Sequence, residues 1–359
     1  MIQPGAIGEA FEAWWTQNFG VLVRETIEEI PGGWLSRAFK VNCQIEGESK
    51  TLFLRTCKSK VGGYAYASDR LQTFAISHEM YERAGGPVKS YGIFGMNTQG
   101  KLVDNLFAPD LEYFHVQDFL KGFSLQSEID EYRNQSQLTE LDIARMYDVG
   151  KMLAELHNRP IPAGTNTADA VRRSQREVFA HPQITLDVLA AYPSNHHLLG
   201  IDTGKYQYLE MMLRSVDVES VYAENTPCVP LHGDFWGSNI LINDAGKPFL
   251  IDYSRIPYGD PAVDVGNFLG VLAFDALTYD SPAYFEAAHV FLNAYFKYRD
   301  VADPDIMRRC VVIFFWIGII RMYPPVFGDT NPEKLHVFDQ YIKRCYTTGS
   351  IILNFHPGK

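Results

Sequence analysis

Three oxygen-bearing side chains lie in one short stretch of the sequence, at Asp234, Asn239 and Asp252. A carboxylate at 234 can accept the proton of an attacking hydroxyl group. The amide oxygen of Asn239 and the carboxylate of Asp252 suit Mg²⁺, which takes one or two protein oxygens together with phosphate oxygens. Phosphoryl transfer needs little more than in-line positioning, neutralised charge and an oriented nucleophile. These residue types therefore indicate phosphoryl transfer, with Asp234 as base and the other two as metal ligands.

A β-hairpin is predicted to position two of these side chains. A turn signal, Asn-Asp-Ala-Gly, separates two apolar runs, so residues 239–242 and 247–251 are expected to pair. If all four turn residues form the loop, Asn239 lies opposite Leu250 and Asp252 lies on the same face, two residues further on. Such a diagonal pair is about 7–8 Å apart, which suits two ligands of one divalent cation.

This stretch resembles the catalytic loop of kinases, in which an aspartate, four other residues, an asparagine and a later metal-binding aspartate follow one another. His-Gly-Asp at 232–234 stands where protein kinases have His-Arg-Asp. That variant is similar to the aminoglycoside phosphotransferase and choline kinase family. The similarity continues in Ile-Asp-Tyr at 251–253 and in Gly-Asp-Pro-Ala-Val-Asp at 259–264. It is strong over residues 229–270 and weaker elsewhere.

The resemblance implies an α+β, bilobal protein-kinase-like fold, with a small β-rich N-terminal lobe containing one helix and a larger, mostly helical C-terminal lobe. We expect a nucleotide-binding lobe over residues 1–116, a hinge over 117–122 and a catalytic and substrate-binding lobe over 123–359. A cleft between two lobes is a common place for a small-molecule site.

The resemblance also implies a phosphate-binding pair in the first lobe. Arg55 stands where the family usually has a lysine. Arginine can grip phosphate through two parallel hydrogen bonds, so it can take over that role. Lys58 and Lys60 follow closely and are alternatives. Glu79, on the next helix, would pair with Arg55 and set its direction. The alternatives are a solvated edge-strand arginine at 55 and a surface glutamate on an amphipathic helix at 79.

The remaining nucleotide contacts that the resemblance implies come from a loop and from the hinge. Gly33 and Ser36 would belong to the loop that covers the phosphates, although the full glycine motif of protein kinases is missing. The backbone of Gln117 and Phe119 would meet the edge of adenine. Phe53, on the strand face of Arg55, would cover the base.

Local patterns predict the elements that carry these residues. Segments 39–45 and 51–56 are expected to form a hairpin around a Glu-Gly-Glu turn, and 101–107 and 111–119 read as strands. A helix should follow Ser68 or Asp69 and stop at the glycines at 85 and 86. Its predicted apolar stripe consists of Leu71, Phe74, Ala75 and His78.

Further helices are predicted in the second half of the chain. Met146, Val149, Leu153 and Leu156 share one helix face, and Asn-Arg-Pro at 158–160 ends that helix. Segment 205–216 and the chain after 262 also read as helical. An aromatic N-terminal helix is expected to pack on a lobe through Phe11, Trp14, Trp15 and Phe19.

Several polar residues are predicted to be structural. His232 is expected to brace its loop, and His157 to be a core or capping histidine. Asp260 is predicted to be a helix N-cap before Pro261, and Asp264 would then lie in the first helical turn, where it could also steady the loop that carries Asp234. A solvated helix face is the simplest reading of three further acidic residues, although they could also form a wall for a cationic substrate: Asp275, Asp280 and Glu286.

Composition narrows the class of protein. The chain is 46% hydrophobic and 21% charged, which excludes wholesale disorder. A formal net charge of −11 disfavours a nucleic-acid partner. The five cysteines have no zinc spacing. The N-terminus lacks a basic signal-peptide region, and the apolar run at 310–320 is too short to span a membrane, so we expect a cytoplasmic protein without a membrane partner.

Taken together, the sequence predicts an ATP-dependent small-molecule kinase that uses Mg²⁺, with GTP as an alternative donor. The acceptor would be a hydroxyl of an aminoglycoside-, amino-alcohol- or sugar-like compound. The excess of acidic over basic residues favours an acceptor that bears an amine. One alternative is a degenerate kinase-like protein that binds nucleotide in a regulatory or scaffold role. A protein kinase is disfavoured, because only seven residues separate Asp252 from Asp260 and leave no room for an activation segment.

Overall fold

The computed structural model describes residues 2–31, 36–57, 66–84, 86–108, 110–179, 226–253, 256–307 and 309–310. The chain divides into two units, the first formed by Met1–Lys121 with Tyr253–Arg255 and the second by Gly122–Asp252 with Ile256–Lys359. Several sequence predictions lie outside the described residues: Gly33, Lys58, Lys60, the helix over 205–216 and all of 310–320 except Cys310.

The first unit is built on an antiparallel six-stranded sheet of order β1-β2-β3-β6-β4-β5. Helix α1, Pro4–Phe19, precedes the sheet, and helix α2, Ala67–Ala84, follows its third strand. The strands are β1 Leu22–Ile30, β2 Ser36–Ile45, β3 Glu48–Cys57, β4 Ser90–Met96, β5 Leu102–Val103 and β6 Glu112–Asp118.

The predicted hairpin of β2 and β3 is confirmed. Ile45 pairs with Glu48, and the two residues between them, Glu46 and Gly47, have φ angles of 52° and 85°. Positive φ at both central positions is the signature of a type I′ turn, whose twist matches that of the flanking strands. This turn sets the register of the whole of β3 and therefore the face on which each of its side chains lies.

Helix α1 covers one face of this sheet. Phe11 and Trp15 are buried against alternate strand residues such as Leu52, Leu54 and Val116. The predicted packing of the aromatic N-terminal helix is thereby confirmed. Residues between those buried positions on β3 must point to the opposite face, because side chains alternate along a strand.

Helix α2 differs from its predicted pattern. It begins at Ala67, so Asp69 lies within the first turn, where its carboxylate accepts the N–H of Tyr66 at 3.1 Å. Phe74 is buried as expected, whereas Ala75 is exposed. The buried face runs instead through Arg70, Thr73, Phe74, Ser77, Met80, Tyr81 and Ala84. The large side chains of the last turns decide which face meets the sheet, and the predicted stripe stopped short of them.

The strand prediction over 101–107 is correct only at Leu102 and Val103. The Asn105 side chain accepts the N–H of Phe107 at 3.0 Å and its carbonyl accepts that of Ala108. Asparagine side chains favour such local turns over strand pairing. Strand β4 had no counterpart in the sequence prediction.

The second unit contains five described helices and three small antiparallel pairings. Its helices are α3 Leu125–Glu131, α4 Glu140–His157, α5 Thr167–Phe179, α6 Ala262–Tyr279 and α7 Pro282–Tyr298. Its strands are β7 Phe123–Ser124, β8 Val229–Pro230, β9 Ile240–Ile242, β10 Pro248–Leu250 and β11 Tyr258–Gly259. None of the helices in the described ranges is long and apolar enough to cross a membrane.

Helices α4 and α7 pack against each other within the second unit. All four residues of the predicted α4 face are buried, and α4 ends at His157, immediately before Asn158 as expected. A capping box between Thr139 and Asp142 starts the helix. A side chain at Gly150 would place its Cβ 2.3 Å from the carbonyl oxygen of Phe291, so the close approach of the two helices requires glycine there.

Candidate active site

The buried carboxylate of Asp264 binds the backbone of the loop that carries Asp234. Its Oδ2 accepts the backbone N–H of His232 at 2.7 Å, and its Oδ1 accepts that of Gly233 at 2.8 Å. Gly233 has a φ of 80°, a left-handed conformation that glycine adopts without strain. Asp264 lies in the first turn of α6, as predicted, and its main contacts are with the loop. It therefore sets the path of the backbone just before Asp234.

His232 joins the loop to the second strand of the hairpin. Its Nε2–H donates to the carbonyl of Ile251 at 2.7 Å, and its Nδ1 accepts the N–H of Asp234 at 3.3 Å. These partners require the neutral tautomer with the proton on Nε2. Both ring nitrogens are occupied by backbone groups, so the ring acts as the predicted brace. It ties Asp234 to the residue immediately before Asp252.

Asp234 and Asn239 are in direct contact. The Nδ2 amide of Asn239 donates to the carboxylate Oδ2 of Asp234 at 3.1 Å and to its backbone carbonyl at 2.9 Å. A short 3₁₀ turn over Gly237–Asn239 places the amide, with the Asn239 N–H bonded to Trp236 O at 2.9 Å. Because the amide nitrogen is committed to Asp234, the oxygen Oδ1 is the Asn239 atom that could coordinate a cation.

The predicted hairpin exists, but its predicted register was wrong by one residue. Ile240 pairs with Leu250, so Asn239 lies opposite Ile251 rather than Leu250, and the Ile251 N–H bonds to Asn239 O at 3.0 Å. The loop contains three residues instead of four, since the N–H of Asn243 bonds to the carbonyl of Lys247 at 3.0 Å. Gly246, with a φ of 77°, occupies the left-handed position typical of three-residue hairpin loops.

The one-residue shift changes how Asp252 is placed. In a regular strand it would put Asp252 on the face opposite Asn239. Strand β10 ends at Leu250, however, and Asp252 adopts a left-handed φ of 65°, so the alternation of a strand no longer applies to it. Such a conformation is uncommon for residues other than glycine and is concentrated at functional sites.

The donor set of Asn239 and Asp252 fits a magnesium ion. An amide oxygen and a carboxylate are hard ligands, and Mg²⁺ commonly takes one or two protein oxygens and completes its shell with water and phosphate oxygens. Among the described residues no group of three or more His, Cys, Asp and Glu side chains could hold a metal ion. Two protein oxygens leave positions in the octahedral shell of Mg²⁺ for water and phosphate oxygens.

A chain of buried polar groups behind Asp264 was not predicted from the sequence. His157, at the end of α4, places Nε2 3.1 Å from Asp264 Oδ2 and Nδ1 2.9 Å from the hydroxyl of Tyr295 on α7. Burial lowers the pKa of His157, although the neighbouring Asp264 acts in the opposite direction. The histidine is thus a neutral donor to the carboxylate. Its expected role as a core histidine is confirmed. The local sequence around His157 does not show which other helices contact it.

Asp260 caps α6 and belongs to a second buried network. Its Oδ1 accepts the N–H of Ala262 at 2.9 Å, as expected for a capping residue. Its Oδ2 also binds Arg309 Nε and Gln175 Nε2, each at 2.9 Å. The Arg309 guanidinium in turn reaches the carboxylate of Asp303. This network links the start of α6 to α5 and to the chain after α7, and so supports the helix that carries Asp264.

The residues predicted to bind nucleotide lie on the first unit's sheet and on α2. Phe53 and Arg55 share one face of β3, as expected, and this face is opposite the one that packs against α1. Ser36 is the first residue of β2, opposite Cys57. Glu79 forms an ion pair with Arg83 at 2.9 Å, and its pairing with Arg55 stays a prediction.

The hinge prediction falls at the end of β6. Gln117 is buried, and the N–H groups of Asp118 and Phe119 are already bonded within the sheet, to the carbonyls of Lys89 at 2.9 Å and Thr51 at 3.2 Å. A base edge meeting this segment would therefore have to use other backbone atoms.

The family model described as "phosphotransferase enzyme family" matches residues 26–307 of the chain, which include Asp234, Asn239, Asp252 and Asp264. The chain belongs to the phosphotransferase enzyme family. The matched residues include every described helix and strand except α1, with β1 included from Thr26 onward. No curated protein sequence matches it.

Solved structures of phosphotransferases share its fold. A thermostable mutant of the aminoglycoside phosphotransferase APH(4)-Ia has a TM-score of 0.52 at 14% identity, covering 94% of this chain and 100% of that one. An ethanolamine kinase of Plasmodium vivax has a TM-score of 0.53 at 15% sequence identity, and the match covers 93% of this chain and 83% of that one. APH(2")-IIa in complex with gentamicin has a TM-score of 0.54 at 13% sequence identity, and the match covers 98% of this chain and 99% of that one. The predicted α+β, protein-kinase-like fold is confirmed.

Proposed function

We propose that this phosphotransferase moves the γ-phosphoryl group of ATP to a hydroxyl group of a small molecule. The observation that carries the proposal is the direct bond between the Asn239 amide and the Asp234 carboxylate. It leaves one carboxylate oxygen of Asp234 to accept a proton and leaves the Asn239 oxygen available as a ligand. His232 bonds to the carbonyl of Ile251, which precedes Asp252, so the loop of the proposed base is tied to the segment that carries the second proposed cation ligand.

Each residue then has a defined task. Asp234 orients the acceptor hydroxyl and takes its proton as the oxygen attacks phosphorus. Asn239 Oδ1 and the Asp252 carboxylate would hold Mg²⁺, which when bound reduces the negative charge on the phosphate oxygens. Arg55 would bind the phosphates of the nucleotide, with Glu79 setting its direction. Gly33 and Ser36 would cover those phosphates.

We propose an amine-bearing acceptor. Two of the structural neighbours are an ethanolamine kinase and a gentamicin complex. The formal net charge of −11 favours a cationic partner over an anionic one. Of the three acidic residues considered for a substrate wall, Glu286 accepts the N–H of Leu138 at 2.8 Å and Asp275 is buried, so neither is a simple surface charge.

The assignment of Asp234 is tested by Asp234→Asn. This variant keeps the size and hydrogen-bonding shape of the side chain but removes the base, so nucleotide binding should persist while turnover falls about 10²–10⁴-fold. Asp244→Asn, on the exposed hairpin loop, is the matched control and should turn over like the wild type. Near-wild-type turnover of Asp234→Asn with any accepted hydroxyl compound would refute the base assignment.

The metal assignment has a separate test that does not need the acceptor. Asp252→Ala should abolish the Mg²⁺-dependent part of nucleotide binding in a thermal-shift titration, while Asp244→Asn keeps it. Undiminished Mg²⁺-dependent binding in Asp252→Ala would contradict the proposed ligand set. A nucleotide-binding protein without transferase activity would retain binding but show no acceptor-stimulated nucleotide turnover, and this comparison separates the regulatory alternative from the enzyme.

A further inference from the structure

The loop of the β9–β10 hairpin is bound by a buried arginine from α4. Arg145 is 7% exposed, and its Nη1 donates to the carbonyl of Gly246 at 2.8 Å. Its Nη2 lies 3.3 Å from Oε1 of Glu128 on α3. One guanidinium therefore joins three parts of the second unit: α4, α3 and the last residue of the hairpin loop.

The proposed metal ligands lie at the opposite end of this hairpin. Asn239 immediately precedes β9, and Asp252 follows the end of β10 by two residues. A two-stranded hairpin is only marginally stable by itself, so its position depends on the groups that bind it. Its strands have three residues each, about 10 Å in length, and a shift of the loop therefore moves both ligands as well.

The segment that contains Glu128 also binds the hairpin along its edge. Strand β7 pairs with β9, and the Ser124 hydroxyl donates to the carbonyl of Gly237 at 3.1 Å. Gly237 begins the 3₁₀ turn that ends at Asn239. Helix α3 starts directly after β7, and Glu128 lies in its first turn. The carboxylate that pairs with Arg145 therefore belongs to a segment that is itself bonded to the hairpin.

A largely buried ion pair of this kind contributes more to position than to stability. Removing the charges of Arg145 and Glu128 from water costs free energy that offsets much of their attraction, and apolar residues of similar volume often stabilise a protein equally well. The planar guanidinium, however, directs its N–H groups in a fixed fork. The hairpin carbonyl and the α3 carboxylate must therefore keep a fixed relation to each other.

We propose that Arg145 is a positioning residue that fixes the hairpin loop and thereby the placement of Asn239 and Asp252 for Mg²⁺, an inference that rests on the function proposed above. Arg145 acts through the hairpin backbone. Without its bonds the hairpin occupies a range of positions, and only a fraction of them hold both ligand oxygens at the distances that Mg²⁺ requires. The apparent affinity for Mg²⁺ falls in proportion to that fraction.

The test measures ADP binding to the full chain by isothermal titration calorimetry over a series of Mg²⁺ concentrations. Its readout is the Mg²⁺ concentration that gives half of the Mg²⁺ effect on ADP affinity. Burial raises the pKa of Glu128, so the titrations are made at pH 8, where its carboxylate is ionised.

Three variants are compared with the wild type. Arg145→Met removes the charge and both directed bonds, and it should raise the half-effect concentration about tenfold while ADP binding without Mg²⁺ stays unchanged. Arg145→Lys keeps the charge but not the fork, and it should raise that concentration about threefold. Lys151→Met removes a partly exposed cation from the same helix and is the matched control, with no shift expected.

A merely structural arginine would give a different result. Arg145→Met would then lower the melting temperature and leave the half-effect concentration of Mg²⁺ unchanged, and this outcome overturns the inference. If Arg145→Met does not fold, Arg145→Lys decides, because an unchanged Mg²⁺ dependence in that variant also overturns the positioning role.

The outcomes also separate this inference from the proposed function. An unchanged Mg²⁺ dependence in both Arg145 variants, with acceptor-stimulated turnover intact, overturns the role of Arg145 and leaves the phosphotransferase standing. A shifted Mg²⁺ dependence in a protein without acceptor turnover supports the role of Arg145 and counts against the enzyme. ADP binding that is independent of Mg²⁺ in the wild type overturns both.

Discussion

A buried histidine makes the stability of the first unit depend on pH. His115 on β6 is 1% exposed and faces Arg55 across the β3–β6 pair. Burial, with additional repulsion from His78 and Arg55, lowers the pKa of His115 to about 3 from an ordinary value of 6.5. Between these two values the unfolded chain binds a proton that the folded chain does not. The free energy of unfolding must therefore fall as the pH falls below about 6.5.

The size of the effect follows from the two pKa values. Each pH unit below the unfolded pKa costs about 1.4 kcal/mol until the folded pKa is reached. Lowering the pH from 7 to 5 should therefore reduce the free energy of unfolding by about 2 kcal/mol through His115 alone. In His115→Gln this contribution disappears, because glutamine does not titrate, whereas the contributions of other histidines, including His157, remain.

The assay is urea unfolding of the wild type and of His115→Gln at pH 5 and at pH 7, with the free energy taken from the transition in which the first unit unfolds. The variant is expected to be less stable than the wild type at pH 7, since Ser90 loses its bond to His115 and keeps the one to His78. Its loss of stability between the two pH values should nevertheless be about 2 kcal/mol smaller. An equal loss in both proteins would show that His115 takes up a proton in the folded state, and the reasoning from burial would be refuted.

Two further predictions concern the support of the loop that carries Asp234. Asp264→Asn should lower the free energy of unfolding by about 2–4 kcal/mol, because an amide N–H group would face one backbone N–H of the loop where a carboxylate oxygen now accepts it. Hydrogen exchange at the Gly233 amide should become faster, and turnover should fall. Protection equal to wild type would argue against the anchor. Gly237→Ala should lower the free energy of unfolding by about 1–3 kcal/mol, since its Cβ would lie 3.1 Å from the backbone Cα of Gln126 and 3.0 Å from Ile129 Cδ1. Gly5→Ala, which has open space within 4 Å, should not destabilise the protein; equal melting temperatures of the two alanine variants would contradict the close contact.

The hairpin of β9 and β10 shows how far local patterns reach. Its existence and its approximate limits follow from a turn signal between two apolar runs, and the structure contains it. Its register does not follow, because four turn residues can close as a three- or a four-residue loop. The Asn243 side chain, which accepts the N–H groups of Ala245 and Lys247, stabilises the shorter loop. A glycine at the last loop position was the available clue, since it can take the left-handed conformation.

Helix α2 shows a second limit. Its presence follows from periodicity and from the residues that flank it, but the predicted face included Ala75, which is exposed. A helix with apolar residues on more than one side is oriented by what it packs against. Here Met80 and Tyr81 turn towards the sheet and towards Tyr253, whose ring lies 5.0 Å from that of Tyr81. That neighbour arrives from a distant part of the sequence.

The sequence by itself determined which functional groups are available, namely two carboxylates and an amide at Asp234, Asp252 and Asn239, and their order along the chain, because both are fixed by the covalent structure. It also determined short-range features such as the β2–β3 turn and the face of α4. Only the tertiary structure decided what holds Asp234 in place, because His157, Asp264 and Tyr295 come from three helices far apart in sequence. Hydrogen bonds between distant segments depend on which surfaces bury each other, and no local spacing encodes that choice.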